Sequence, residues 1–400
     1  MRAGATMLTL IHDNPALLRG DTVEIDRKFL DGMARFVSEV GVPVTSTHPV
    51  RRGDAAIDVL QAPVASLPFR LVALDTDARG AYSAAGRAQL ADAVACSRLV
   101  AGAYMGGGLG VAHRLKVPYV MVVEYDLRTQ LVVTRIGASD PLRRTVRSLR
   151  CVADYLRIQI PAMRRAAAIH CNGFPVHDAA RRWNERCLLY LDSRMGRDMV
   201  VGEAALAARL RELPARRAKV LFSGRYEPMK GALDFVQVAI RCVQDGVPAE
   251  FLCHGQGSQR QAMQAAVAAA GVGDRVQVHD AVPFPQLMAI ARGCDLFVAC
   301  HVQSDPSCSY LEAMGAGLPV LGYANRMWRS MAADSGAGDH VPLRDQRALA
   351  AAIAARLRDP RRLAEWSNRA RAYALQHCFE NEFARRTAAI RDAYAAAPMR

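Results

Sequence analysis

Ser304-Asp305-Pro306-Ser307-Cys308-Ser309-Tyr310-Leu311-Glu312-Ala313-Met314-Gly315-Ala316-Gly317-Leu318-Pro319-Val320 sets small polar residues ahead of a helical run that carries one acid. Gly317-Leu318-Pro319 then breaks the helix before an apolar strand. A loop of small residues at a helix start presents backbone N–H groups, and the helix dipole adds positive potential there. That pattern suits a phosphate. Glu312, about a turn further in, can accept hydrogen bonds from a ribose. The stretch implies a nucleotide-diphosphate grip late in a two-domain α/β chain.

Working outward, the neighbouring segments alternate between strand and helix. In the second half, strands are predicted at 220–223, 250–254, 276–279, 296–299 and 318–322, with helices at 233–245 and 259–270. Residues 361–396 read as helix rich in Ala and Arg. In the first half, strands are predicted at 7–11, 55–60, 71–75, 99–101, 119–124, 168–171 and 188–192. Helices are predicted at 23–41, 84–95, 106–116 and 176–187, with a long basic amphipathic stretch over 141–165. Such alternation predicts two Rossmann-like domains, each a mostly parallel sheet covered by helices on both faces. The expected division is 1–203, 204–378 and a C-terminal helix over 379–400, with residues 195–217 as the link. Ligands of such sheets bind at strand C-termini, here in the cleft between the domains.

The chain has 400 residues, enough for two cores, with 51% hydrophobic and 22% charged residues. Ten cysteines show neither a C-x-x-C pair nor zinc spacing, which points to a reducing cytoplasm. Met1-Arg2-Ala3-Gly4-Ala5-Thr6-Met7 runs straight into a strand without a signal-peptide pattern. No stretch approaches the roughly 18 apolar residues of a membrane span. A net charge of +14 admits nucleic acid, an anionic membrane face or an anionic small molecule as partner. Aromatic content of 6% lacks the rings that stack on bases, so no nucleic acid is expected. Arg143, Arg144, Arg147 and Arg150, followed by Arg157, Arg164 and Arg165, could lie on an anionic lipid surface; a solvated basic helix is the rival.

Two more loops carry chemistry. Ser223-Gly224-Arg225-Tyr226-Glu227-Pro228-Met229-Lys230-Gly231 ends the first strand of the second half and can aim two cations at a diphosphate. His254-Gly255-Gln256-Gly257-Ser258 allows either close approach to a ligand or a tight turn. The ordered set formed by these loops, residues 276–283, Cys294-Asp295-Leu296-Phe297-Val298 and the opening stretch resembles the donor domain of retaining GT-B glycosyltransferases, in particular family 4. The resemblance covers residues 218–325. It implies that Arg225 and Lys230 hold the diphosphate and stabilise leaving-group charge without a metal. Glu312 would bind the ribose, and backbone at Ser307, Cys308 and Ser309 would meet the phosphates. Val278 and the residues after it would edge the base, with Gly224 giving room. No cofactor is implied; a nucleotide-diphosphate sugar is the co-substrate, UDP favoured and GDP open.

Two departures from that pattern stand out. The family places a glutamate eight positions before Glu312, where this chain has Ser304 with Asp305 beside it. That leaves the donor sugar open. A histidine often follows the central strand of the first domain, where Glu124 stands here as a candidate sugar ligand, proton acceptor or simple turn cap. Arg19 or Asp21 could touch ligand, or Asp21 could cap a helix. Asp75-Thr76-Asp77 matches a metal-binding D-x-D in another architecture, but metal use is not expected. The acceptor stays open among glycan, lipid-linked and small-molecule classes. A non-catalytic nucleotide-sugar binder, or a nucleic-acid-binding protein, remains the alternative. The expected location is cytoplasmic, with peripheral contact at the inner membrane face.

Overall fold

The computed structural model describes residues 7–50, 59–103, 108–136 and 140–399. The expectations for Met1–Thr6, most of 55–60 and the Gly106-Gly107 turn lie outside these residues.

Two parallel sheets organise the chain. The first has seven strands in the order β10-β9-β8-β7-β1-β4-β6. They are β1 (Met7–Ile11), β4 (Val44–Pro49), β6 (Arg70–Leu74), β7 (Ser97–Ala103), β8 (Tyr119–Val123), β9 (Ala168–Asn172) and β10 (Cys187–Tyr190). A small antiparallel sheet of β2 (Leu17–Arg19), β3 (Thr22–Asp26) and β5 (Val59–Pro63) lies beside it. Helices α1 (Arg27–Val40), α2 (Ala84–Ala95), α3 (Gly108–Arg114), α4 (Leu127–Ile136), α5 (Pro141–Asp154), α6 (Ile160–Arg165) and α7 (Phe174–Ala180) connect these strands.

The helix expected over 23–41 is therefore a strand followed by a helix. The helical stripe of Phe29, Met33, Phe36, Val37 and Val40 belongs to α1, whereas Val23 and Ile25 are buried as alternate residues of β3 with Glu24 paired to Gln61. Asp26 caps α1 by accepting from Phe29 N at 2.9 Å, while Asp21 sits in the β2–β3 turn. β4 escapes sequence reading because Thr45, Ser46, Thr47 and His48 are a polar run, yet all four are buried between β1 and β6. The 176–187 helix stops at Ala180.

After β10, residues 191–202 cross to the second domain, and the expected link also contains α8 (Glu203–Glu212). The second sheet has six parallel strands in the order β13-β12-β11-β14-β15-β16. These are β11 (Ala218–Ser223), β12 (Ala249–His254), β13 (Val276–His279), β14 (Leu296–Ala299), β15 (Val320–Tyr323) and β16 (Gly338–Val341). The helices α9 (Ala232–Gln244), α10 (Arg260–Ala270), α11 (Phe284–Arg292), α12 (Ser309–Gly315), α13 (Arg326–Ser335), α14 (Gln346–Leu357) and α15 (Pro360–Gln376) cover it. Strands β11, β14 and β15 are buried almost throughout, as apolar runs in a doubly covered parallel sheet should be. The last helix, α16 (Phe379–Ala396), returns to the first domain, where Ile390 and Tyr394 enter the core beneath α1.

Candidate functional site

Both sheets turn their strand C-termini toward one cleft. On the second-domain wall, β11 ends in Gly224-Arg225, and a single 3-10 turn over Pro228–Lys230 leads into α9. Gly231 closes that turn at φ 64°, and a Cβ there would sit 2.1 Å from the Cys300 carbonyl oxygen. Only glycine lets this loop press against the end of β14. The close fit drives Lys230 inward. Its side chain is 7% exposed, and Nζ donates to Asp305 Oδ2 at 2.7 Å and to Ser307 Oγ at 3.3 Å. Ser307 Oγ in turn lies 2.8 Å from Ser309 Oγ. Burial alone would raise the Asp305 carboxyl, but Lys230, by its charge and its hydrogen bond, outweighs it and holds it below the usual carboxylate value.

Arg225 is exposed on the same loop, its guanidinium 3.7 Å from the Met229 sulfur. The Ser304 hydroxyl accepts from Arg326 N at 3.0 Å. Ser304 and Asp305 are thus both engaged inside the protein. Cys308 donates its thiol to Asp192 Oδ2 across the cleft at 3.7 Å.

Glu312 lies on α12, where all seven residues are buried. Its Oε1 accepts from Arg194 Nε at 2.7 Å, and the Arg194 guanidinium stands 4.0 Å from the centre of the Phe284 ring. Arg194 belongs to the interdomain crossing, so the link itself reaches into the site. Val278 is half-buried on the edge strand β13 and packs on the domain core. The neighbouring His279 carbonyl accepts from the Tyr226 hydroxyl at 2.6 Å. Gly255 is explained by loop packing, since a Cβ there would lie 1.9 Å from the Gly224 oxygen.

His301 was not foreseen. It follows β14, is 1% exposed and tilts against Tyr310 at 5.2 Å between ring centres. Burial, reinforced by Lys230, pushes its pKa down to about 3, so it is neutral beside the cationic loop. Its position beyond a strand C-terminus was the one available signal.

On the first-domain wall, Glu124 follows β8. Desolvation raises its carboxyl above the usual value, and Asp192 adds to this; Arg386 opposes it, Asp305 adds a little, and Asn172 opposes it. Beneath it opens a cavity of about 670 Å³, lined by the apolar side chains of Phe29, Met33 and Phe383 and by the polar groups of Asp13, Glu124, Asn172, Asp192 and Arg386. Asp126 caps α4, accepting from Thr129 N at 3.0 Å, and also pairs with Arg326 of the other domain. Arg19 pairs with Glu24 at 3.1 Å in the β2–β3 hairpin. Asp75 and Asp77 serve local turns: Asp77 Oδ1 accepts from Arg79 N and Ala81 N, and Asp75 Oδ2 accepts from Ser83 Oγ. Among the described residues, no three His, Cys, Asp or Glu side chains are grouped to hold a metal ion.

Residues 209–373 match the family Glycosyl transferases group 1. This group 1 segment contains Arg225, Lys230, Asp305, Ser307 and Glu312. The chain is 38% identical over 114 residues to the 2-deoxystreptamine N-acetyl-D-glucosaminyltransferase of Streptomyces fradiae, covering 28% of this chain and 27% of that protein. It is 30% identical over 189 residues to the phosphatidyl-myo-inositol mannosyltransferase of Mycobacterium leprae, covering 46% and 49%. The chain thus spans between about a quarter and a half of the length of these curated relatives.

Similar solved structures extend over nearly the whole chain. Sucrose-phosphate synthase of Thermosynechococcus elongatus superposes with a TM-score of 0.67 at 18% identity, over 98% of this chain and 100% of that one. Anabaena HepE, solved in complex with UDP-glucose, gives 0.65 at 14% identity, over 96% and 98%. The fold is GT-B: two Rossmann-like domains with parallel sheets facing a central cleft.

Proposed function

We propose that the protein is a glycosyltransferase that moves a sugar from a nucleotide-diphosphate donor to a hydroxylated acceptor. The observation that carries this reading is the anchored Lys230 with Arg225 on the loop after β11, in the group 1 segment that also holds Glu312 on α12, across the cleft from an open cavity. Lys230 is anchored by Asp305 and Ser307, so its charge is fixed in place before a ligand arrives. Fixed charge stabilises a leaving diphosphate without reorganisation, which favours reaction without a metal. Arg225 is free to fork onto phosphate oxygens. Glu312 would take the ribose hydroxyls, with Arg194 moving aside.

A UDP-sugar is the favoured donor, supported by the fold likeness to HepE with UDP-glucose, and a GDP-sugar is the second choice. The reaction would run with retention: the acceptor oxygen bonds to the anomeric carbon from the face the phosphate leaves, and the phosphate takes the acceptor proton. The acceptor would occupy the first-domain cavity, its hydroxyls on Glu124, Asp192 and Asn172. The relatives are named for 2-deoxystreptamine and phosphatidyl-myo-inositol, both polyhydroxylated rings, and a cavity of about 670 Å³ takes such a ring.

A panel of UDP- and GDP-sugars, read first by thermal shift and then by nucleotide release, tests this. Stabilisation by one donor with release of its nucleotide is expected. Tight nucleotide binding with no release from any donor would favour a non-catalytic binder, a reading that the internal engagement of Ser304 and Asp305 keeps in play.

A further inference from the structure

Helix α5 is built unlike the other helices of its domain. None of its 14 residues is buried. Leu142, Val146 and Leu149 are 74%, 57% and 65% exposed, and their i, i+4, i+7 spacing puts them on one stripe. Arg143, Arg147 and Arg150 repeat the same spacing one position on, which forms a parallel row along the edge of that stripe. Leu156 and Ile158, in the following π-helical turn, are exposed as well, with Arg157 between them in sequence. Over residues 141–158 there are five arginines and a single acid, Asp154. A helix whose apolar ridge faces water next to a cationic row is built for an interface with an apolar and an anionic layer.

We infer that α5 docks this protein onto the surface of an anionic phospholipid bilayer. Leu142, Val146 and Leu149 enter the boundary between headgroups and acyl chains, and Arg143, Arg147 and Arg150 meet the phosphates. Bordering the ridge at Leu149, α5 forms a groove with α4 of about 490 Å³, where Leu131, Leu149 and Val152 lie between Arg135 and Arg144. That groove offers a second place for a headgroup phosphate above an apolar floor. Charge selects this occupant over a second copy of the chain, because self-pairing of the ridge would bring two arginine rows together. The helix against which α5 packs begins at the cleft: α4 starts just after Asp126, the residue that pairs with Arg326. Docking here would hold the cleft near the membrane face. The inference goes beyond the proposed reaction, and its test needs no turnover.

The test is co-sedimentation of the full chain with phosphatidylglycerol–phosphatidylcholine vesicles, against phosphatidylcholine alone, at low and high salt. Wild type should pellet with the anionic vesicles only, and less at high salt. Arg143→Glu/Arg147→Glu/Arg150→Glu and, separately, Leu142→Asp/Leu149→Asp should each cut the bound fraction about tenfold or more without lowering the unfolding temperature. Arg361→Glu, on the other domain, should bind as wild type. Equal recovery in the supernatant with and without anionic lipid would overturn the inference. So would an equal loss in the Arg361→Glu control, which would assign binding to net charge. A concentration-dependent dimer abolished by Leu142→Asp/Leu149→Asp would give the ridge to a second copy and overturn it as well.

Discussion

Lys230 Nζ lies 2.7 Å from Asp305 Oδ2, with the two side chains only 7% and 8% exposed. A buried pair of this kind costs desolvation, and breaking it from one side strands a charge at a cost of about 3–5 kcal/mol. Lys230→Ala should therefore lower stability and reduce kcat by roughly 100-fold or more, the scale for removing a preorganised electrostatic group. The double variant Lys230→Ala/Asp305→Ala separates the two roles. It should regain much of the stability and none of the turnover. Denaturant midpoints and initial rates check both, and recovery of turnover in the double variant would remove Lys230 from the phosphate site.

Glu312 meets Arg194 at 2.7 Å, and a ribose would need the same carboxylate. Arg194 is 43% exposed, so the pair is worth about 1 kcal/mol or less. Arg194→Ala leaves the 7%-exposed Glu312 carboxylate without its cation, so it should lower stability modestly and tighten UDP binding up to about fivefold by removing a competitor. Glu312→Ala should weaken UDP binding and abolish measurable turnover. Isothermal titration with UDP reads both. If Arg194→Ala weakens binding as Glu312→Ala does, Arg194 contacts the nucleotide instead of competing with it.

Legibility in the sequence followed the physics of each element. Strands β11 and β14 stood out because a buried parallel strand is an apolar run bounded by turn residues. Helix α2 was readable end to end. The strand β4 was hidden because its buried residues are Thr, Ser and His, whose side chains find partners only in the fold, as His48 Nε2 does 2.8 Å from Ser46 Oγ. The donor-side residues came from order and spacing along one segment. Arg194 and the Asp126–Arg326 pair join positions 118 and 200 residues apart, and local pattern carries no trace of such meetings. The engagement of Ser304 with Arg326 N is likewise a tertiary fact.

Glu124 predicts a pH effect with a defined sign. Its carboxyl is raised, by desolvation first and Asp192 next, so it keeps its proton to higher pH than an ordinary carboxylate. If the ionised form binds the acceptor hydroxyls, kcat/KM should rise with pH along a limb displaced above the usual carboxylate range. Glu124→Gln should flatten that limb. Arg386→Ala removes an opposing positive charge and should move the limb further up. A limb unchanged in Glu124→Gln would assign it to another group. For stability the sign is opposite: the protonated form is favoured on folding, so this contribution is lost as pH rises through the raised value.

Four histidines should dominate the acid response. Burial lowers His12 to about 3, His48 to about 4, His170 to about 3 and His301 to about 3, from the ordinary 6.5. The unfolded chain therefore takes up protons below pH 6.5 that the folded chain refuses, and stability present above that value is lost as pH falls. Each such histidine contributes a slope of about 1.4 kcal/mol per pH unit, so four approach about 5 near pH 5. The raised carboxyls of Asp13 and Glu124 offset part of this. Chemical denaturation at pH 7, 6 and 5 should show a steep fall, and His170→Leu should lower the slope by about one histidine's share. His170 suits this role because it is fully buried with neither ring nitrogen partnered, so leucine removes a proton site and breaks no hydrogen bond. A stability that stays flat from pH 7 to 5 would mean that water or protons reach these rings in the folded protein.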